Sequence, residues 1–207
     1  MKPNPDTGSP GGGYAIVKRI LDFIIALFLL ALTLLPMLLI ALLIRADSRG
    51  EPIFRQQRIG RGGKPFTCYK FRTMRETTPA SCATDELKDA EGYITRFGKF
   101  LRKASLDELP QLFNVLKGDM SMIGPRPLIP EETEVHALRT AAGVYRLRPG
   151  LTGYAQIHGR DFVTPEEKAA LDEEYLHKIS FKTDLQIFFG SIFYVLLAKD
   201  IHEGRKD

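Results

Sequence analysis

The chain is organised around one stretch, Arg102-Lys103-Ala104-Ser105-Leu106-Asp107-Glu108-Leu109-Pro110-Gln111-Leu112. Ser105 is followed three residues later by Glu108, which is the pattern of a capping box and predicts a helix starting here. The first turn of that helix would hold Asp107 and Glu108. Unpaired backbone N–H groups and the helix dipole favour negative charge at this end, so we expect both carboxylates to be ionised.

Two adjacent carboxylates at a helix start have two interpretations. They cap the helix and nothing more, or they carry chemistry. An ionised Asp107 beside Glu108 suits a phosphoryl-accepting nucleophile next to a metal ligand, because Mg²⁺ and Arg102 would offset the repulsion between carboxylates and a phosphate. This stretch alone does not choose between the two.

Composition narrows the classes of function. The 207 residues suit one domain with additions, and 29 Lys+Arg against 25 Asp+Glu give a formal charge of +4. The excess is modest, so a basic patch matters only if it is local; no nucleic-acid partner is expected. Cys68 and Cys82 form neither a disulfide framework nor a Cys-x-x-Cys metal motif, so we expect reduced thiols, as in a site facing the cytoplasm. The sequence contains no Walker loop, dinucleotide glycine fingerprint or His-Glu-x-x-His.

The N-terminal part contains a candidate membrane segment. Residues 1–14 are rich in Pro and Gly and are predicted to be a disordered tail. Residues 15–45 are predicted to be a membrane helix, since Ile20–Ile44 is almost wholly apolar and would extend roughly 37 Å as a helix, enough for a hydrocarbon core of about 30 Å. The apolar segment is too long to be a cleaved signal peptide.

The topology of this helix has three alternatives: re-entry, a straight span, or burial in a soluble core. Basic residues flank both ends, and basic flanks prefer the cytoplasm. They are Lys18, Arg19, Arg45, Arg49, Arg55 and Arg58. Pro36 offers a bend that would return the helix to the same side, with Thr33 as a donor to a freed carbonyl and Asp22 held at the interface beside Lys18 or Arg19.

The segment after the membrane helix predicts a β-hairpin. Alternating residues in 52–58 and 66–71 flank the glycine-rich stretch 60–64, which is a turn or, alternatively, a phosphate loop. Lys70 and Arg72 would share a strand face, either solvated or facing an anion. Residues 77–92 are predicted to be a mobile loop. Residues 93–103 predict a basic amphipathic helix, which either lies on an anionic membrane surface or packs on the core.

Two proline- and glycine-rich loops carry arginines. Arg126 stands between Pro125 and Pro127, so its backbone has little freedom, which suits phosphate binding although a plain turn explains it equally. Arg148 precedes Pro149 in a second basic loop that continues to Arg160, and loops carry binding residues more often than helices and strands do.

The C-terminal part predicts helices. Residues 131–142 indicate a short helix, and Thr164-Pro165-Glu166-Glu167 is a second capping box. On the helix that follows, Asp172 is either a solvated charge or a second carboxylate near metal or substrate. The apolar helix 185–198 is too short for a comfortable span, which leaves a packing face or interfacial insertion.

Four segments together are similar to one family. Residues 69–74, 105–121, 123–127 and 148–153 resemble the bacterial sugar transferases, the monotopic phosphoglycosyl transferases, and the similarity runs from Lys18-Arg19 to about Leu197. The resemblance implies a mainly helical α+β fold with an N-terminal re-entrant membrane helix, amphipathic interfacial helices and a small β-hairpin. Residues 46–200 would form the catalytic domain on the cytoplasmic face of a bacterial inner membrane, and 201–207 a polar tail.

The resemblance also implies a reaction. A UDP-sugar gives its sugar phosphate to an Asp and releases UMP, and polyprenyl phosphate, such as undecaprenyl phosphate, then takes the sugar phosphate in glycan assembly. By position, Asp107 resembles the nucleophile and Glu108 the Mg²⁺ ligand. The phosphate-binding group is Lys70, Arg102, Arg126, Arg148 and Arg160, and Asp172 matches a further acidic position. Membrane lipid is an expected partner, and the oligomeric state stays open, with a homodimer among the alternatives.

Two other functions remain as alternatives. A membrane-bound glycosyltransferase would move the sugar alone and release UDP, and often uses an Asp-x-Asp metal motif, which the sequence lacks. A membrane-associated scaffold would have no turnover that depends on Asp107. The identity of the released nucleotide separates the two enzymes.

Overall fold

The computed structural model describes residues 12–75, 78, 90–158 and 164–197. Eight α-helices and four strands occur among them. The helices are α1 Tyr14–Asp47, α2 Ala90–Tyr93, α3 Arg96–Lys103, α4 Gln111–Lys117, α5 Thr133–Ala141, α6 Tyr154–His158, α7 Pro165–Lys178 and α8 Phe181–Leu197. The strands are β1 Ile53–Ile59, β2 Pro65–Phe71, β3 Ser121–Ile123 and β4 Gly150–Thr152. The predicted tails 1–14 and 201–207 and the loop 77–92 lie largely or wholly outside the described residues, as does Arg160.

The mainly helical fold and the small hairpin are confirmed. Strands β1 and β2 pair antiparallel, with Ile53 opposite Phe71 and Ile59 opposite Pro65. Between them, Arg61–Gly63 forms a single 3-10 turn in which Gly62 and Gly63 have φ of +71°, a conformation that glycine adopts without steric cost. The glycine-rich stretch is therefore the connection of a hairpin.

A second pair of strands was not predicted. Strands β3 and β4 pair parallel, with Ser121 opposite Gly150 and Ile123 opposite Thr152. They come from the two loops that carry Arg126 and Arg148. Side chains do not fit between the two backbones, since a Cβ on Gly150 would lie 2.1 Å from the Gly124 nitrogen. The two basic loops are thus joined backbone to backbone.

Helix α1 is one continuous helix of 34 residues with Pro36 inside it, and its length and composition suffice to cross a membrane. Its buried residues are Asp22, Ala26, Met37, Ile40 and Ile44. At about 100° per residue these fall within about 60° of the helix circumference. Ala26 belongs to the core cluster that includes Leu112 of α4, whereas Met37, Ile40 and Ile44 pack with Phe71 and Leu101. Both halves of α1 therefore contact the rest of the described chain.

Polar contacts also tie α1 to the body of the protein. Asp22, expected at the membrane interface, is buried and accepts hydrogen bonds from Ser121 Oγ (2.7 Å) and the Met122 N–H (2.9 Å) at the start of β3. It remains 3.9 Å from Lys18 Nζ, which also contacts Asp184 of α8 at 2.7 Å. Thr33 Oγ1 donates to the carbonyl of Leu29, and not to that of Leu32, which is the one that Pro36 frees.

The predicted capping box at Ser105 is wrong. Ser105 has φ of +54°, the left-handed region, and makes no capping hydrogen bond. Ser105 lies just after the C-terminal end of α3. Leu106–Glu108 then form a 3-10 turn before α4 begins at Gln111. The local pattern failed because the serine that was expected to begin one helix instead follows the end of another. The second capping box, at Thr164 and Glu167, is confirmed at the start of α7.

Candidate active site

The acidic pair lies in a short turn between two helices. Asp107 and Glu108 occupy the 3-10 turn that follows Ser105, and Pro110 caps the start of α4. Asn114 of α4 fixes this segment against β2, because its side chain accepts from the Tyr69 N–H (3.1 Å) and donates to the Thr67 carbonyl (2.7 Å). Strand β2 consequently presents Lys70 directly to the acidic turn.

Glu108 is held by two cations. Lys70 Nζ lies 2.7 Å from Glu108 Oε1, and Arg126 Nη1 lies 3.4 Å from the same oxygen. Burial alone would raise the pKa of Glu108, but Lys70 and Arg126 outweigh it and lower the pKa to about 2. Glu108 is therefore ionised at neutral pH, as the sequence predicted, although its partners are side chains rather than a helix dipole.

Asp107 differs from its neighbour. Burial raises its pKa, and the negative charge of Glu108 acts in the same direction, while Lys70, Arg102 and Arg126 act against both. The shift is opposite to the one expected from a helix N-terminus, since α4 begins four residues later. Two carboxylates with pKa values pushed apart are typical of a site in which the two groups have different roles.

Three of the predicted basic residues surround the pair. Lys70 and Arg126 contact Glu108 directly. Arg102 donates from Nε to Thr73 Oγ1 at 2.9 Å, and its charge acts on Asp107. Arg72, the other candidate on the β2 face, donates to the carbonyl and hydroxyl of Ser48. It therefore connects the end of β2 to the end of α1. The structure thus brings Lys70, Arg102 and Arg126 together around Asp107 and Glu108.

Arg148 lies at the opposite end of α4. Its Nε donates to the Gly118 carbonyl at 2.9 Å, just after the helix ends. Arg19 of α1 joins it there, donating to the carbonyls of Val115 (2.8 Å) and Leu116 (3.2 Å). Arginines that bind the last carbonyls of a helix satisfy groups that have no partner within it. The structure therefore does not place Arg148 beside the acidic pair.

Asp172 is neither a solvated helix charge nor a neighbour of the acidic pair. It is buried in an ion pair with Arg139 of α5, with 2.5 Å between Oδ2 and Nη2. Burial raises the pKa of Asp172, and Arg139 opposes part of that shift. Arg139 was not singled out from the sequence, where it resembles any arginine on a surface helix. Its only signal there was a spacing of four from Val135, which places both on the buried face of α5.

The residues of this turn suit one kind of metal. Among the described residues no three His, Cys, Asp or Glu side chains cluster to form a protein-only metal cage. Mg²⁺ does not need such a cage, because it commonly binds one or two carboxylates together with substrate phosphates and water. Asp107 and Glu108 are two adjacent carboxylates of the kind that such a site uses, with Lys70, Arg102 and Arg126 close by.

The chain is similar in sequence to a known family and to several curated proteins. The family model described as "Bacterial sugar transferase" matches residues 13–198. The chain is 39% identical to "Uncharacterized sugar transferase EpsL" of Bacillus subtilis (strain 168), over 91% of either chain. It is 39% identical to "Exopolysaccharide production protein ExoY" of Sinorhizobium fredii (strain NBRC 101917 / NGR234), over 94% of this chain and 92% of that protein.

A third relative has a more specific name. The "UDP-glucose:undecaprenyl-phosphate glucose-1-phosphate transferase" of Caulobacter vibrioides (strain ATCC 19089 / CIP 103742 / CB 15) is 41% identical over 84% of this chain and 68% of its own. The family match covers α1, the acidic turn and both basic loops. With 186 consecutive residues in the match, this chain belongs to the bacterial sugar transferase family.

Proposed function

We propose that the protein moves a sugar 1-phosphate from a UDP-sugar to polyprenyl phosphate, through a covalent intermediate on Asp107. The observation that carries this proposal is the acidic turn, where Glu108 is held ionised by Lys70 and Arg126 while Asp107 stands beside it with a raised pKa. The name of the Caulobacter relative specifies a UDP-sugar donor and undecaprenyl phosphate as acceptor, which supports the same substrate classes here.

In the first step a carboxylate oxygen of Asp107 attacks the phosphorus that carries the sugar. A bond forms between that oxygen and the phosphorus, the bond to the bridging oxygen of the diphosphate breaks, and UMP leaves with the electron pair. Arg126, Lys70 and Arg102 offset the charge that develops on the diphosphate. The three cations act on Asp107 or Glu108 already without substrate, so little rearrangement is needed.

In the second step a phosphate oxygen of the polyprenyl phosphate attacks the same phosphorus. The bond to Asp107 breaks, the carboxylate is regenerated and polyprenyl-diphosphate-sugar leaves. A covalent intermediate of this kind divides one transfer between two poorly miscible substrates into two simpler displacements. It suits a water-soluble donor and a lipid acceptor that never need to be bound together.

Glu108 is the residue that we assign to Mg²⁺. Glu108 would hold the metal through its ionised carboxylate, beside Lys70 and Arg126, which both contact Oε1. When bound, Mg²⁺ would supply charge stabilisation at the diphosphate. The low pKa of Glu108 keeps it a ligand over the whole neutral range.

We further propose that α1 enters and leaves the membrane on the cytoplasmic side. A straight span of a helix of about 51 Å would carry one end away from a body on one face of the bilayer. Here both halves of α1 pack on that body, Ala26 near α4 and Met37, Ile40 and Ile44 near α3. The remaining circumference exposes apolar residues such as Phe28, Leu35 and Leu42, which suits lipid.

Two more helices suit the interface with lipid. Helix α8 packs Ile187 into the core, and its exposed Phe181, Phe189 and Phe193 support interfacial insertion of the opposite face. Tyr14 of α1 contacts Phe181 edge to face, which makes the apolar surface of α8 continuous with that of α1. Helix α3 exposes Phe100 beside its basic residues, as expected for a helix at an anionic surface.

Three experiments test these proposals. Incubation with UDP-sugars and undecaprenyl phosphate should release UMP, and release of UDP would instead favour a glycosyltransferase. Incubation with donor alone should add the mass of one sugar phosphate at Asp107, and an active enzyme that never carries this adduct would refute the intermediate. For topology, single cysteines before Lys18 and after Arg49, in a chain lacking Cys68 and Cys82, should both be labelled from the cytoplasmic side; labelling from opposite sides would refute re-entry.

A further inference from the structure

A buried ion pair lies behind the loop that carries Arg126. Arg139 of α5 and Asp172 of α7 are 2.5 Å apart, and each side chain is only 2% exposed. Removing two charges from water costs several kcal/mol, and apolar residues of similar volume often stabilise such a position as well or better. The other contacts of the pair are therefore informative.

Arg139 has a second contact, which lies in the active-site loop. Its Nη1 donates to the backbone carbonyl of Arg126 at 2.8 Å. The two neighbouring carbonyls are also bound: that of Pro125 accepts from the Gly150 N–H at 2.9 Å, and that of Pro127 from Arg58 Nη1 at 3.0 Å. Three consecutive carbonyls are thus fixed, in a segment where both prolines already restrict φ.

The side chain of Arg126 extends from this fixed backbone to the acidic turn. Its Nη1 lies 3.4 Å from Glu108 Oε1, and the side chain is 44% exposed, so a bound diphosphate could reach it. A path of direct contacts therefore runs from Asp172 through Arg139 and Arg126 to Glu108. Asp172 itself is too buried to meet a substrate.

We propose that Arg139 and Asp172 are positioning residues that hold the backbone of Arg126, and with it the guanidinium that binds the donor diphosphate. Asp172 orients Arg139, and Arg139 fixes the Arg126 carbonyl. This inference rests on the proposed function, since it assigns the pair to the same donor site. It replaces the expectation that Asp172 contacts metal or substrate.

The test measures the affinity for UDP with Mg²⁺ by titration calorimetry, in an Asp107→Asn parent. UDP carries the diphosphate whichever sugar the enzyme uses. Arg126→Ala should weaken UDP binding about tenfold, which corresponds to the loss of about 1.4 kcal/mol. The pair variant Arg139→Met with Asp172→Asn removes both buried charges together, so that no buried charge is left without its partner. It should weaken UDP binding by a similar factor.

The decisive measurement combines the changes. If the pair acts through Arg126, adding Arg139→Met and Asp172→Asn to Arg126→Ala should cause no further loss, because the interaction that they support is already gone. A purely structural role, or direct contact of Asp172 with substrate or metal, predicts that the separate losses multiply. That result, or an unchanged affinity of the pair variant, would overturn the inference.

Controls separate the inference from the proposed function. Glu174→Gln with Lys178→Met removes an exposed ion pair on the same helix and should leave UDP affinity unchanged. A parent that binds no UDP would overturn the proposed function and this inference with it. If the pair variant does not fold, Arg139→Lys replaces it: a folded protein with weakened UDP binding supports the inference, and one with parental affinity contradicts it.

Discussion

Cationic side chains lie at both ends of α4, but they bind different groups at each end. Before its start, Lys70 and Arg126 hold the Glu108 carboxylate in a partly exposed turn. At its end, Arg19 and Arg148 bind the backbone carbonyls of Val115, Leu116 and Gly118. Arginine therefore binds a carboxylate at one end of α4 and backbone carbonyls at the other. The residue type and its position in a basic loop do not show which group a cation binds. The contacts of each cation in the folded protein do.

The largest effect should come from the acidic end. Replacing Asp107 with alanine removes the proposed nucleophile and should reduce turnover by roughly 10⁴-fold or more, measured as UMP release. Thermal stability and membrane association should stay close to those of the unsubstituted protein. Glu173→Gln, which changes an exposed acid on α7, is the matched control and should retain full activity. Ordinary turnover by a folded Asp107→Ala variant would exclude this residue as nucleophile.

A smaller loss is expected at the neighbouring acid. Glu108→Gln keeps the shape of the side chain but removes the charge that pairs with Lys70 and is assigned to Mg²⁺. Turnover should decrease roughly 10²- to 10³-fold, and the Mg²⁺ concentration needed for half-maximal rate should rise. Titrating Mg²⁺ at saturating donor measures both quantities. If the Mg²⁺ requirement is the same in both proteins, Glu108 is not the metal ligand.

At the other end of α4, stability should change instead of donor binding. Arg148→Met removes the hydrogen bond to the Gly118 carbonyl and should lower the free energy of unfolding by about 1 to 3 kcal/mol. The KM for the donor should change less than twofold. Arg19→Met is the companion variant, because it frees two carbonyls of the same helix end. A tenfold rise in donor KM with unchanged stability would instead support the predicted phosphate-binding role of Arg148.

The smallest effect concerns the residue that precedes the acidic turn. Ser105 is the one residue other than glycine with positive φ in the described segments. Ser105→Gly should relieve strain of about 1 to 2 kcal/mol at most, offset in part by the greater freedom of glycine when unfolded, so stability should rise slightly or stay level. Ser105→Val should destabilise, since a branched side chain tolerates this conformation poorly. The melting temperatures of the two variants and the unsubstituted protein test this prediction. A large decrease for Ser105→Gly would mean that the serine side chain contributes more to stability than its backbone strain costs.

Local sequence signals predicted much of the fold. The hairpin, the capped helix α7, the short helix α5 and the long apolar helix α1 all depend on patterns within a few residues, and the structure contains each of them. Lys70, Arg102 and Arg126, which the structure places around the acidic turn, were grouped with it only through the family resemblance, together with Arg148 and Arg160.

What could not be predicted depends on contacts between distant segments. Strands β3 and β4 are three residues each and pair across 29 positions of sequence, too short to show any alternation. Arg139 and Asp172 look like surface charges on helices until α5 and α7 are packed together. The capping-box pattern at Ser105 was present, but the preceding helix determined its backbone conformation.

The way Asp22 and Arg19 are used has a practical consequence for protein production. Both residues belong to the apolar anchor in sequence, yet they serve as internal parts of the catalytic body, one accepting from Ser121 and Met122 and the other donating to α4. Trimming the chain after the anchor to obtain a water-soluble fragment would deprive an N–H donor, an O–H donor and two carbonyls of these partners. Solubility is better sought by exchanging outward-facing residues such as Phe28 and Leu35 for polar ones, with the anchor retained.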